Sequence, residues 1–145
     1  MHRQLTVSIG LLEREGKFLI TRRFDPDHPN WHHKWEIPGG KIHAGETPLD
    51  ALHREIFEET ALTFHSPHLL GIHTHHWNTP AGIQQTFLIV YHCQAHPGEV
   101  ILSPEENDAF SWESPEAILL LPNLLDGTVE LLEELLLKRE AASLS

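Results

Sequence analysis

Apolar residues fall at every second position from Leu5 through Val7 to Ile9, the period of a half-buried strand, and Leu5 to Leu12 is expected to form one. A turn over Glu13 to Lys17, carrying Gly16, sends the chain back as a second strand from Phe18 to Arg22. Phe24 to Lys34 holds two prolines and three histidines and reads as a loop, and Trp35 to Pro38 as a short extended piece. The period then changes. Leu49, Leu52 and Ile56 recur at helical spacing, Thr47 offers an N-cap, Pro48 suits the first helical position, and Asp50 lies three beyond the cap. Ser66-Pro67 should break the chain, after which His68 to Trp77 and Gln84 to Cys93 read as strands joined by a hairpin over Asn78 to Gly82.

Further on, His96 to Gly98 is a turn, Ser103 to Asp108 an acidic loop and Ala109 to Trp112 a short strand. Ser114 caps a short helix that ends by Pro122. Thr128 opens the last helix, in which Leu131, Leu132, Leu135 and Leu136 give an apolar stripe running to about Glu140, and residues 141–145 are expected to fray. This order predicts a mixed α/β domain with helices packed on a mixed sheet.

The chain has 145 residues, enough for a single domain with a sizeable core. Its net charge of −11, from 21 acidic and 10 basic residues, argues against a nucleic-acid-binding protein. An anionic small molecule remains compatible if metal ions mediate the contact. The one cysteine, Cys93, excludes an intrachain disulfide and sits in an apolar run as a buried bystander. No apolar run reaches membrane-spanning length and no signal-peptide pattern opens the chain, so a cytoplasmic protein is the expectation.

Candidate chemistry gathers between Gly39 and Leu62. The polar face of the helix carries Glu55, Glu58 and Glu59, neighbours at the i, i+3 and i+4 spacing. Like charges at that spacing repel, and a hard divalent cation with oxygen ligands would remove the repulsion. The bland alternative is a solvated acidic face with Arg54 paired to Glu58. The glycine pair Gly39-Gly40 tips the balance, because it brings bare backbone to the same patch.

The run from Gly40 resembles the signature of the Nudix hydrolase family, G-x5-E-x7-R-E-U-x-E-E-x-G-U, where U is a bulky aliphatic residue. Gly40, Glu46, Arg54, Glu55, Ile56, Glu58, Glu59 and Leu62 fall on their places, and Ala61 stands where the last glycine is expected. The wider chain is similar to the MutT-type members in Ile20 to Arg23, in His28, in Trp35 to Ile42 and in Gly45 to Pro48. The resemblance is close over about the first 60 residues and weak afterwards.

The resemblance implies a Nudix-type α/β/α sandwich and hydrolysis of a nucleoside triphosphate to the monophosphate and pyrophosphate. An oxidised guanine nucleotide, 8-oxo-dGTP, is the leading substrate. It also implies a metal site of the Gly39 carbonyl, Glu55, Glu58 and Glu59, holding Mg²⁺ with Mn²⁺ as an alternative, and it makes Arg54 the anchor of the glutamates. Glu55 is the preferred general base, against a carboxylate from the 105–108 loop, where Glu106 or Asp108 could also be an extra ligand. Arg23 and His28 correspond to nucleotide-contacting positions, Glu36, Ile37, Pro38 and Gly39 would run along the nucleotide, and Asn123 would offer its amide to a purine edge.

Outside these positions, His32, His33, His73, His75 and His76 lack further ligands at zinc-site spacing and read as structural, with His73 and His75 on one strand face. Trp31, Trp35 and Trp77 could stack on a base or serve the core, and Trp112 is expected in the core. A different nucleotide or a nucleoside diphosphate derivative stays open as substrate. A catalytically silent nucleotide-binding domain ranks lower, because every box glutamate is present. Monomer and homodimer are both compatible with the sequence.

Overall fold

A computed structural model describes residues 2–137; the end of the last predicted helix and the tail expected to fray lie outside them. Seven strands form one mixed sheet: β1 (Arg3–Arg14), β2 (Lys17–Arg23), β3 (Trp35–Glu36), β4 (Gly39–Lys41), β5 (Phe64–Thr79), β6 (Gly82–Ala95) and β7 (Asn107–Glu113). The main order is β3-β2-β1-β6-β5, with β4 paired to β1 and β7 to β2. Only β1 and β6 run parallel among the described pairs, in register from Arg3↔Gln84 to Glu13↔Gln94.

Alternation along β1 and β2 splits the core between the two faces of the sheet. Ile9, Leu11, Phe18 and Ile20 face one side, with Val90, Leu131, Leu132 and Leu136. Leu12 and Leu19 face the other, with Leu52, Ile56 and Cys93. Helix α1 (Pro48–Thr60) covers this second face; α3 (Thr128–Leu131) and a π-helical continuation (Leu132–Leu137) cover the first, and α2 (Pro115–Leu119) lies beside β7. This is the expected α/β/α sandwich. Among the described residues no helix is long and apolar enough to cross a membrane.

Helix α1 begins as its sequence predicts. Thr47 and Asp50 exchange side-chain to backbone hydrogen bonds in a capping box, and Pro48 occupies the first turn. It ends at Ala61, held left-handed at φ 61° with its N–H donating to the Phe57 carbonyl. This is where the family pattern has glycine, which adopts that conformation without a Cβ penalty.

Ser66-Pro67 does not break the chain. β5 runs straight through it by adding one residue between His65 and His68, with Ser66 at φ 52°, and a second irregularity falls between Leu69 and Gly71. Trp112 is half-buried at the margin of the core, with the Arg14 guanidinium 4.6 Å above its ring. Cys93 is fully buried, and burial pushes its thiol up to about 12.

Candidate active site

A cleft of about 630 Å³ opens on the face covered by α3, lined at one end by Gly39, Gly40, Glu55, Glu59 and Glu106. Arg23, bound to Glu36 and 5.8 Å from the Trp31 ring, links that end to an aromatic group in which Trp31 touches His28 and Trp77 and Trp77 touches His75, with Asp126 beside His75; Ile37 and Asn107 also line the cleft. Two glycines bring the acidic end together. A Cβ on Gly39 would strike the Ser8 carbonyl oxygen, and one on Gly40 would overlap the Glu55 carboxylate. The backbone of β4 therefore lies directly against both β1 and α1.

Arg54 organises the glutamates. Its guanidinium forks onto Glu46, donates to the Lys41 carbonyl at 3.0 Å, and reaches Glu55 at 2.9 Å and Glu58 at 3.3 Å. The pairing with Glu58 was legible from spacing; that with Glu46 was not, because the loop must fold back to make it. The contact holds the Glu46 carboxyl down to about 2, chiefly through its hydrogen bond from Arg54.

Glu59 is in the opposite position. It is 8% exposed and accepts a hydrogen bond from the Gly39 N–H at 3.2 Å. Burial pushes its carboxyl well above the usual carboxylate range, and Glu36, Glu55 and Glu106 push it further. Glu106 is raised too, first by burial and then by Glu55 and Glu58. These are all oxygen donors with an unbalanced negative charge, the chemistry a hard divalent cation suits. They are not gathered to ligating distances: among the described residues no three His, Cys, Asp or Glu side chains stand close enough to hold a metal ion, and Glu58 turns to Arg54 with half its side chain exposed.

The remaining predicted residues divide. Arg23 holds Glu36 through two contacts, at 3.2 and 3.0 Å, and its guanidinium lies 5.8 Å from the Trp31 ring centroid. His28 lines the cleft, tied to Asp25 at 2.8 Å and tilted against Trp31. Pro38 lies behind the cleft, its carbonyl accepting from the Gly10 N–H. Asp108 belongs to β7 rather than to the acidic loop, and Arg22 and His33 take its carboxylate away from the cleft. Asn123 is exposed at φ 59°, its carbonyl accepting from the Trp35 N–H, and neither it nor Trp35 lines the cleft.

Several lining residues escaped the sequence reading as site residues, namely His73, His75, Thr86 and Asp126. The signal was present in part, since His73, His75 and Trp77 alternate on one face of β5. Asp126 carried none.

The NUDIX domain family matches residues 2–135. The chain belongs to the Nudix family. It is 33% identical over 110 residues to a "MutT-like protein" of Streptomyces ambofaciens, across 75% of this chain and 63% of that one. It therefore spans under two thirds of that relative's length. It is 30% identical over 151 residues to a "CTP pyrophosphohydrolase" of Escherichia coli K12, across 96% of each. The MutT protein structure from Methanosarcina mazei Go1 superposes with a TM-score of 0.79 at 27% identity, again across 96% of each chain. The Nudix box falls in the segment from β4 to the end of α1, so the signature and the acidic end of the cleft coincide.

Proposed function

We propose that this Nudix pyrophosphohydrolase cleaves a nucleoside triphosphate to the monophosphate and pyrophosphate, with an oxidised guanine nucleotide as substrate. The observation that carries the reading is the polarity of the cleft. Carboxylates crowd one end, where a triphosphate needs cations, and Trp31, His75 and Trp77 line the other, where a base needs flat surfaces. The cleft's volume suits a ligand of nucleotide size.

Glu55, Glu58, Glu59 and the Gly39 carbonyl, joined by Glu106, would hold Mg²⁺ or Mn²⁺. Such an ion, when bound, supplies polarisation of phosphoryl oxygens and a lowered pKa for bound water. Arg54 sets the direction of Glu55 and Glu58. Glu55 takes the proton as the water oxygen attacks phosphorus and the anhydride bond breaks. Arg23, His28, Glu36, Ile37 and Gly39 flank the nucleotide.

Incubation with Mg²⁺ and 8-oxo-dGTP is expected to release pyrophosphate, and Glu58→Gln or Glu59→Gln to abolish nearly all of it. Release of orthophosphate alone, or activity indifferent to those changes, overturns the proposal. A second reading, a pyrimidine nucleotide as substrate, is favoured by the name of the Escherichia coli relative and by the position of Asn123 outside the cleft. Turnover of CTP well above that of 8-oxo-dGTP under identical conditions selects it.

A further inference from the structure

The α1 side of the sheet is covered over only part of its width. Helix α1 packs on β4 and β1, and its core reaches Phe64, Tyr91 and Cys93 at one end of the β5–β6 pair. Beyond that end the two strands lie bare on this side. Ile72 pairs with Ile89, Leu69 with Tyr91 and Thr74 with Phe87, while the alternate positions His73, His75, Thr86 and Leu88 line the cleft. Leu69 is 54% exposed, Ile72 is 58% exposed, and Phe87 and Ile89 are half-buried. Contiguous apolar strips of this kind mark contact surfaces.

The margin of the strip is polar and closed on itself. Gln4 donates to Gln85 Oε1 at 3.0 Å, and Gln85 Nε2 lies 3.3 Å from His76 Nε2. One chain of side-chain contacts thus crosses β1, β6 and β5 at the hairpin end. An apolar centre inside a polar rim is the layout of a protein–protein contact.

Charge selects the partner. No Asp, Glu, Lys or Arg occupies this face of β5 or β6 from Leu69 to Ile89. In a chain whose net charge is −11, this is a face on which two copies can meet without apposing carboxylates. A charged partner finds no handle here, whereas an uncharged strip is its own complement under a two-fold axis.

We propose that this face pairs two copies of the chain, sheet on sheet, in a two-fold dimer. Strands β1, β6 and β5 side by side are about 14 Å wide, and residues 69–78 span about 30 Å. Each copy therefore offers roughly 400 Å² of flat area before side-chain relief, the lower end of specific interfaces. The dimer is accordingly reversible, half formed at roughly 10–100 µM. His75 and Trp77 line the cleft from the opposite side of the same strands, so pairing leaves it open in both copies.

Sedimentation equilibrium of the full chain tests this. The average mass is expected to rise from that of one chain to that of two across about 5–500 µM. Ile72→Glu and Leu69→Glu each bring an unpaired carboxylate into the interface twice, and each is expected to weaken the dimer at least about a hundredfold. Both positions are exposed in the single chain, so circular dichroism is expected to stay that of the wild type; either variant that keeps the spectrum decides the question. Leu120→Glu, at an exposed position at the end of α2 on the β7 side of the sheet, is expected to leave the dimer unchanged. The mass of one chain throughout, or growth beyond two chains, overturns the proposal. So does a dimer that survives in a folded Ile72 or Leu69 variant, or one lost equally in Leu120→Glu.

Discussion

Arg54 grips Glu46 through two parallel contacts, Nε to Oε2 at 2.7 Å and Nη2 to Oε1 at 2.9 Å. This fork locks the loop before α1 to the face of the helix that carries Glu55 and Glu58, and it keeps the guanidinium charged far past any working pH. The two ends of the Nudix box are thus one mechanical unit.

A lysine at position 54 keeps the charge but offers one point of contact, and cannot reach Glu46, Glu55, Glu58 and the Lys41 carbonyl together. Arg54→Lys is therefore expected to lower kcat/KM by about 10²-fold through misplaced carboxylates, with little change in melting temperature. Steady-state pyrophosphate release checks this; a variant as active as the wild type removes the fork from the reaction.

Ala61 holds a left-handed conformation that costs an L-residue with a Cβ roughly 1 kcal/mol more than glycine. Ala61→Gly relieves that cost at some loss of chain entropy, and a net stabilisation of about 0.5 kcal/mol is expected. Urea denaturation of the two proteins side by side measures it. Destabilisation would mean that the helix exit is not strained.

Glu59 makes metal-free stability depend on pH. Its folded value lies above the ordinary 4.5, so the folded state binds the proton more tightly. The associated stability is fully present below the unfolded value and is lost as pH rises through the folded one. Thermal melts in a chelator should fall in temperature from pH 5 to pH 8, and Glu59→Gln should flatten that slope. Mg²⁺ should restore the wild type at the alkaline end, and a wild type indifferent to both pH and metal contradicts the carboxylate crowding.

Gly40 admits the Glu55 carboxylate where a Cβ would stand. Gly40→Ala is expected to displace Glu55 and reduce kcat by about 10²-fold, while circular dichroism stays that of the wild type. An alanine variant that turns over normally shows that Glu55 can work from a different rotamer.

Features set by neighbouring residues were legible in the sequence. The cap at Thr47 and Asp50, the helix over Leu49, Leu52 and Ile56, and the glutamate face all follow from spacing within a few turns of chain. Contacts closed by the whole fold were not. Nothing in the alternation of β1 announces that its parallel neighbour is β6, and nothing at Asp108 announces that Arg22 would claim it from the paired strand β2. Ser66-Pro67 carried a local signal for a break, and the expectation failed because β6 lies close enough to carry the pairing past it. His73 and His75 shared a face on paper, yet the partner of the His73 ring, Glu134, sits on a different element altogether.

The two irregularities in β5 bear on how copies of the protein behave in a crowded solution. β5 is the outer strand at its end of the sheet and runs 16 residues, long enough to template another strand along its free edge. Pro67 offers no N–H there, and each inserted residue throws the edge out of step with a regular partner. An incoming strand can keep register only along the stretch from Gly71 to Thr79, which carries three exposed or half-exposed histidine and tryptophan rings, His75, His76 and Trp77. The two irregularities in the strand thereby shorten the sticky edge by nearly half.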